Sequence, residues 1–338
     1  MKLIVSHLEV SRTYVTRELY YIQQELITTH GWRHIESNAL SYGPETLEKK
    51  LRIALGQLPE VILFWEAYDL VYQYSFELQR LKCLKVFFAD DLHWFNRRMH
   101  EIRVVSFALS DVVLTTYAYC WPKLYPELSN KKVVWIPHSA SPDFMFSYNP
   151  SAENAVFLSG AINEAYPLRQ QMLKLHDEGR FPIRHQRHPG YYCNYNYQAD
   201  TRIGRGFAKR MHSCRVGFAD SVSPFGYVVA KYFEIPATGA LLLADDTVSA
   251  PLSELGFVAN QHYVPVSLKN LEERIEYVLA DKNRDELDRV RRNGQALVHE
   301  RHKSSDRARQ INRIIGHISF DICHLSFEDL PASELNDK

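Results

Sequence analysis

Short runs in which almost every side chain is apolar recur along this chain, and several stop abruptly at polar residues. Glu60 to Trp65 ends at Glu66, and Leu84 to Ala89 ends in the cluster Asp90, Asp91 and His93. Lys2 to Ser6, Asp111 to Thr115 and Lys132 to Ile136 read the same way. A strand that is apolar at successive positions must be covered on both faces, which is the situation of strands inside a parallel sheet. Segments of helical spacing separate these runs, as with Tyr14, Leu19, Ile22 and Leu26 in Arg12 to Thr29. Strands alternating with helices over about 140 residues specify an α/β layer structure.

The stretch Pro137 to Pro150 interrupts this pattern with three prolines and several small polar residues, and reads as a linker. Strand-like runs resume at Ala155 to Ser159, near Ile183, at Arg215 to Ala219 and at Ala240 to Ala244. Helical segments Tyr166 to Asp177 and Arg205 to His212 lie between them. The 338 residues suffice for two domains with separate cores. The expected division is 1–145, 146–303, and a tail 304–338 whose helix Ser304 to Ile315 crosses back to the first domain. Ligands of such folds bind beyond the carboxyl ends of the strands, so the active site is expected in the cleft between two Rossmann-like domains.

The most specific stretch is Ser221 to Asp246, SVSPFGYVVAKYFEIPATGALLLADD. A turn of small residues, Ser221 to Gly226, is followed by an expected helix, Tyr227 to Ile235, broken at Pro236. Free N–H groups and the dipole at such a helix start suit an anion. Lys231 and Glu234 are three apart and share a face, one a cation for phosphate and the other a carboxylate for sugar hydroxyls. FEIPATGALLLAD resembles the donor-site signature of the GT-B glycosyltransferases, the glycosyl transferases group 1 and CgeB-like proteins among them. The segment beginning LEERIEYVLADKNRDELDRV is similar to their closing helices. The resemblance covers about Asn154 to Ile315.

It implies a GT-B fold and transfer of a sugar from a nucleotide-diphosphate donor, UDP- or GDP-linked, to a glycan or other hydroxyl acceptor; the alternatives are a GT-B-fold sugar-nucleotide epimerase or phosphorylase, or a non-catalytic nucleotide-sugar binding protein. It implies that Glu234 holds the donor ribose. Ser223, Phe225, Gly226 and Tyr227 form the donor loop, and Lys231, Arg169 (in YPLR) and Arg205 are candidates to neutralise the diphosphate. His188 and Tyr191, from the His- and Tyr-rich loop, are candidates to contact base or sugar. Retaining relatives often carry a second glutamate eight positions before the first. Gly226 stands there, and an inverting enzyme is expected. Such an enzyme needs a base, and Asp90, Asp91 and His93 lie where one would be placed. Asp91 is equally suited to capping the next turn. His7, Glu9, Glu66 and Tyr68 are acceptor-side candidates by position.

Forty basic residues balance forty acidic ones, so no nucleic-acid partner is expected. No apolar run reaches membrane-spanning length, which leaves at most a peripheral membrane contact and an expected cytoplasmic location. Cys83, Cys120, Cys193, Cys214 and Cys323 form no CxxC pair and read as reduced structural thiols. Asp245 and Asp246 are adjacent, unlike the spaced pair of metal-dependent GT-A enzymes. They are expected to cap a turn, with no metal and no cofactor.

Overall fold

The apolar runs assemble into two parallel sheets in a computed structural model that describes residues 1–192 and 194–324. The first sheet contains β1 (Lys2–Ser6), β2 (Arg33–Glu36), β3 (Val61–Trp65), β4 (Leu84–Ala89), β5 (Val112–Thr115) and β6 (Lys132–Trp135) in the order β2-β1-β3-β4-β5-β6. The second contains β7 (Glu153–Gly160), β8 (Ile183–Arg187), β9 (Cys214–Ala219), β10 (Leu241–Asp245) and β11 (Val264–Val266) in the order β11-β10-β9-β7-β8. Every pairing is parallel.

Alternate residues of each strand enter opposite cores, which explains the unbroken apolar runs. Ile62 and Phe64 face one layer while Val61, Leu63 and Trp65 face the other. Leu242 and Ala244 are divided from Leu241 and Leu243 in the same way. Strand order reverses between β1 and β3 in the first sheet and between β7 and β9 in the second. Connections leave in opposite directions at those places and open a crevice beyond the strand ends.

The helix Ser304–His324 carries Ala308, Ile311, Ile315 and Ile318 on one face and packs them into the first sheet's core beside Ile22 and Leu26. The chain therefore crosses between the sheets twice, and the crossings lie side by side. Ala140 N–H donates to His302 O (2.8 Å), and Ser304 N–H returns the bond to Ala140 O (3.2 Å).

Three local expectations are corrected. The helix read over Arg12 to Thr29 is two helices, Leu8–Thr13 and Glu18–Thr28. The break is held by tertiary contacts that override periodicity, since Arg17 pairs with Asp143 (2.9 Å) and stacks on Tyr197 (3.7 Å). The helix read over Tyr227 to Ile235 spans Lys231–Ala237 and includes Pro236. Strands β2 and β11 were not expected: one is the polar edge sequence RHIE, the other is three residues long. Cys83, Cys120 and Cys214 are free thiols, whereas Cys193, the side chain of Cys323 and the tail 325–338 lie outside the described residues. Among the described residues no helix is long and apolar enough to cross a membrane.

Candidate active site

Gly160 ends β7 at the second sheet's reversal point, with φ at +106°. A Cβ there would lie 2.8 Å from Arg169 Nη1 and 3.4 Å from Lys231 Nζ. The missing side chain thus lets two cations converge on bare backbone. Arg169 is fixed in place. Its backbone N–H donates to Asp220 Oδ2 (2.9 Å), Nη1 donates to Ala161 O (2.9 Å), and the guanidinium lies over Tyr166 (3.8 Å). Burial, and then the neighbouring Arg169, bring Lys231 down to about 8. Glu234, three residues further along the same helix, is raised by burial to about 7, against the pull of Lys231. The residue is 6% exposed, and what remains accessible faces the cleft.

His188 completes this side. Its Nδ1 accepts the N–H of Gly190 (3.0 Å), so the neutral ring carries its proton on Nε2. Burial, then Lys231 and Arg169, lower it to about 4, which keeps it neutral near pH 7. Glu234, Lys231, Gly160 and His188 line one cleft together with Val15 to Glu18, Phe144, Tyr197 and Phe207. The cleft holds about 550 Å³ of free space, solvent at its mouth included. Two cations and a neutral N–H donor around a bare glycine suit a diphosphate, and the adjacent carboxylate suits vicinal hydroxyls.

The first sheet contributes a second cluster. Asp90, just past β4, accepts a bond from Thr116 Oγ1 (2.9 Å) at Oδ1, and that oxygen lies 3.4 Å from His138 Nε2. His138 Nδ1 meets Glu18 Oε2 at 2.7 Å, and Nε2 meets the Tyr117 hydroxyl at 2.9 Å. Ser139 Oγ donates to the other Glu18 oxygen (2.8 Å). Burial alone would lower His138, but Glu18 and then Asp90 outweigh it and raise the imidazole to about 9. Asp90 is itself raised by burial, with His138 opposing. Burial and the charge of Asp90 raise Asp91 to about 6, and its carboxylate is near enough to act on Tyr166, Tyr191 and Tyr227 of the second sheet's side. Glu66 accepts from the Asp90 N–H (2.8 Å) and the Tyr68 hydroxyl (3.3 Å). Burial raises it to about 7, and its backbone is left-handed, φ 52°, which is rare for a glutamate.

The sequence-derived residues separate into two groups. Glu234, Lys231 and His188 line the cleft, Arg169 backs it, and Tyr191 packs on His188 (4.3 Å). Asp90, Glu66 and Tyr68 form one hydrogen-bonded group. The donor loop does something else. Phe225 stacks on His93 (5.5 Å), Tyr227 stacks on Tyr117 (3.8 Å), and Gly226 O accepts the Tyr119 hydroxyl (3.1 Å). These residues, with His93, dock the second sheet's unit onto the first, while Ser223 is exposed. Arg205 is not on the cleft lining and donates to the carbonyls of Asp143 and Met145 (3.0 Å each). His7 precedes the first helix, and exposed Glu9 pairs with Arg12 (2.7 Å). Asp245 caps its turn by accepting Thr247 N–H (3.0 Å) and Ser221 Oγ–H.

Gly160, His138 and Glu18 were not singled out by the sequence. His138 stands three residues past β6, where topology would have placed a functional group, but three nearby prolines mark the segment as a connection. Among the described residues, no group of three His, Cys, Asp or Glu side chains could hold a metal.

Residues 169–313, which contain the Lys231 and Glu234 helix, match the family profile described as glycosyl transferase-like. The chain is GT-B in fold and, over that segment, glycosyl transferase-like in sequence. A structure described as an alpha-glucosyltransferase in complex with UDP-glucose and DNA containing an abasic site superposes with a TM-score of 0.60 at 13% identity, covering 93% of this chain and 98% of that one. HepE of Anabaena in complex with UDP gives 0.58 at 10% identity, covering 94% and 99%. A putative UDP-N-acetylglucosamine 2-epimerase from Listeria monocytogenes gives 0.52 at 10% identity, covering 97% and 99%. At these identities the likeness establishes the fold. No curated protein matches the chain.

Proposed function

We propose that this chain is a metal-independent glycosyltransferase that moves a sugar from a nucleoside diphosphate to a hydroxyl of a glycan acceptor, with inversion. One observation carries the reading: Gly160, Lys231, Arg169 and Glu234 converge at the second sheet's reversal point, in a cleft whose other side includes Glu18, the partner of the His138 that meets Asp90. Glu234 holds the ribose, and Lys231, Arg169 and the His188 Nε2–H hold the diphosphate. The acceptor oxygen bonds to the anomeric carbon as its proton passes to the Asp90 carboxylate. The bond from that carbon to the phosphate oxygen breaks, and its electron pair leaves on the diphosphate, whose charge the two cations offset. No metal is required to balance that charge.

The UDP and UDP-glucose named with two of the similar structures favour a uridine donor. One of those structures also names DNA, but the balanced charge of this chain favours a glycan acceptor. A melting-point screen of UDP- and GDP-sugars in excess EDTA tests the donor, since a ligand of the folded state raises the melting temperature. Stabilisation by at least one nucleotide sugar is expected, and none with any of them overturns the reading. NMR of the product anomer then tests inversion. Epimerisation is the second reading, because one similar structure carries that name. It would show as donor isomerisation with no acceptor present.

A further inference from the structure

We propose that His138, held by Glu18, is the positioning residue that keeps Asp90 ionised behind the cleft wall to which Glu18 belongs. The role of Asp90 as base rests on the function proposed above; the coupling to His138 does not. Three elements bring the groups together: Glu18 from the first residue of the helix Glu18–Thr28, His138 from the first crossing between the sheets, and Asp90 from the end of β4. Every heteroatom of the His138 ring is engaged, Nδ1 by Glu18 and Nε2 by Tyr117 and Asp90. Glu18 accepts from three groups and is 4% exposed, so it has no solvent to turn to. A carboxylate so placed favours a positive imidazole, and the imidazolium in turn favours a negative Asp90.

Of the other groups around Asp90, the Thr116 hydroxyl and Arg103 act in the same direction but rank behind His138, and Glu18 itself opposes. Asp91 beside it and Glu66 on its backbone N–H are both acidic and oppose its ionisation. Arg103, on the helix Arg97–Leu109, is directed to the Asp91 carbonyl and the Tyr68 ring. Thr116 and Tyr117, past β5, are neutral. On the side of Glu18, Arg307 of the last helix donates to the carbonyls of Pro137 (2.8 Å) and His138 (3.1 Å), and Glu234 faces the pair from the second domain. His138 is therefore the cation nearest the Asp90 carboxylate. During transfer it keeps its proton, while Asp90 gains one from the acceptor and later releases it to the open cleft.

The test uses the full chain with UDP-glucose, following UDP release to water against pH. His138→Gln should move the acid limb of kcat/KM up by about one pH unit or more, a loss of roughly tenfold at pH 6 that shrinks toward pH 8.5. KM for the donor should stay within about twofold. Glu18→Gln, which leaves the imidazole in place, removes both the support of His138 and a carboxylate that itself opposes Asp90, so its limb should move less than that of His138→Gln. An equal loss at every pH, with the limb unmoved, would mark a purely structural role and overturn the proposal. Independently of turnover, ¹⁵N-histidine NMR of the unmodified chain should show both His138 nitrogens protonated at pH 7.5. Asp90→Asn should lower that titration, because the coupling acts equally on both partners. A neutral His138 at pH 7.5, or a titration indifferent to Asp90→Asn, also overturns it. If the NMR coupling holds but no UDP- or GDP-sugar is bound or turned over, the functional reading fails and the coupling stands.

Discussion

On the function proposed above, donor recognition turns on Glu234. Burial raises its carboxyl to about 7, and a pair of ribose hydroxyls donating to it would favour the ionised form. Charge-assisted bonds contribute roughly 1.5–3 kcal/mol each, so Glu234→Ala should weaken UDP binding at least tenfold while the fold survives. Calorimetric titration giving an unchanged affinity would remove the residue from the site. Lys231 adds a pH dependence. Its ammonium is lowered to about 8 by burial and Arg169, and a bound dianion favours the protonated form. UDP affinity should therefore fall as pH rises through about 8, by up to roughly tenfold per unit, as linkage requires for one proton. A dissociation constant that stays flat between pH 7 and 9.5 would mean that Lys231 does not meet the diphosphate. Both residues were legible in the sequence because their spacing of three sets them on one face whatever the helix's exact start. Gly160 was not, because a glycine ending a strand signals only a turn until the cations above it are known.

At the scale of elements, the loop and helix from Ser221 to Ala237 differ most from the expectation. The helix begins at Lys231 and is seven residues long, so its dipole is small, and the proposed diphosphate contacts fall to side-chain cations instead. The preceding residues Phe225 to Tyr227 look like a phosphate loop in sequence yet dock on Tyr117, Tyr119 and His93. Sequence shows that such a loop is small and turned; it cannot show which neighbour the turn faces. Two glycines separate the alternatives. Gly160→Ala places a Cβ against Arg169 at a positive φ, whereas at Gly226, φ +69°, the nearest atom to a Cβ is Val248 Cγ1 at 4.0 Å. Both substitutions should cost about 1–3 kcal/mol of stability through backbone strain. Only Gly160→Ala should weaken UDP binding, by about tenfold or more. Equal loss of UDP affinity in the two variants would return the Gly226 loop to the donor site.

For the whole molecule, the alternation of apolar strands with helices was enough to give two parallel sheets, because each strand's burial on both faces is written in its own residues. The geometry of their crossing was not. It depends on Arg307, a buried cation whose donors reach Pro137 O, His138 O and His302 Nδ1, so that one side chain ties both crossings together. Burial pulls this guanidinium down to about 10, against the attraction of Glu18 and Asp306. Removing a group of this kind leaves three buried acceptors unpaired, a loss on the order of 3–5 kcal/mol. Arg307→Met retains the stem that packs near Phe233 (5.8 Å from guanidinium to ring) and deletes only the donors. Its melting temperature should fall by roughly 6–20 °C, at roughly 2–4 °C per kcal/mol. The cations and the carboxylate proposed to hold the donor stand on the second sheet's unit, whereas Asp90 and His138 belong to the first sheet and the crossing. UDP affinity should therefore stay within about twofold while turnover drops. A variant that loses UDP binding in proportion to turnover would mean that the donor pocket depends on how the domains are held together.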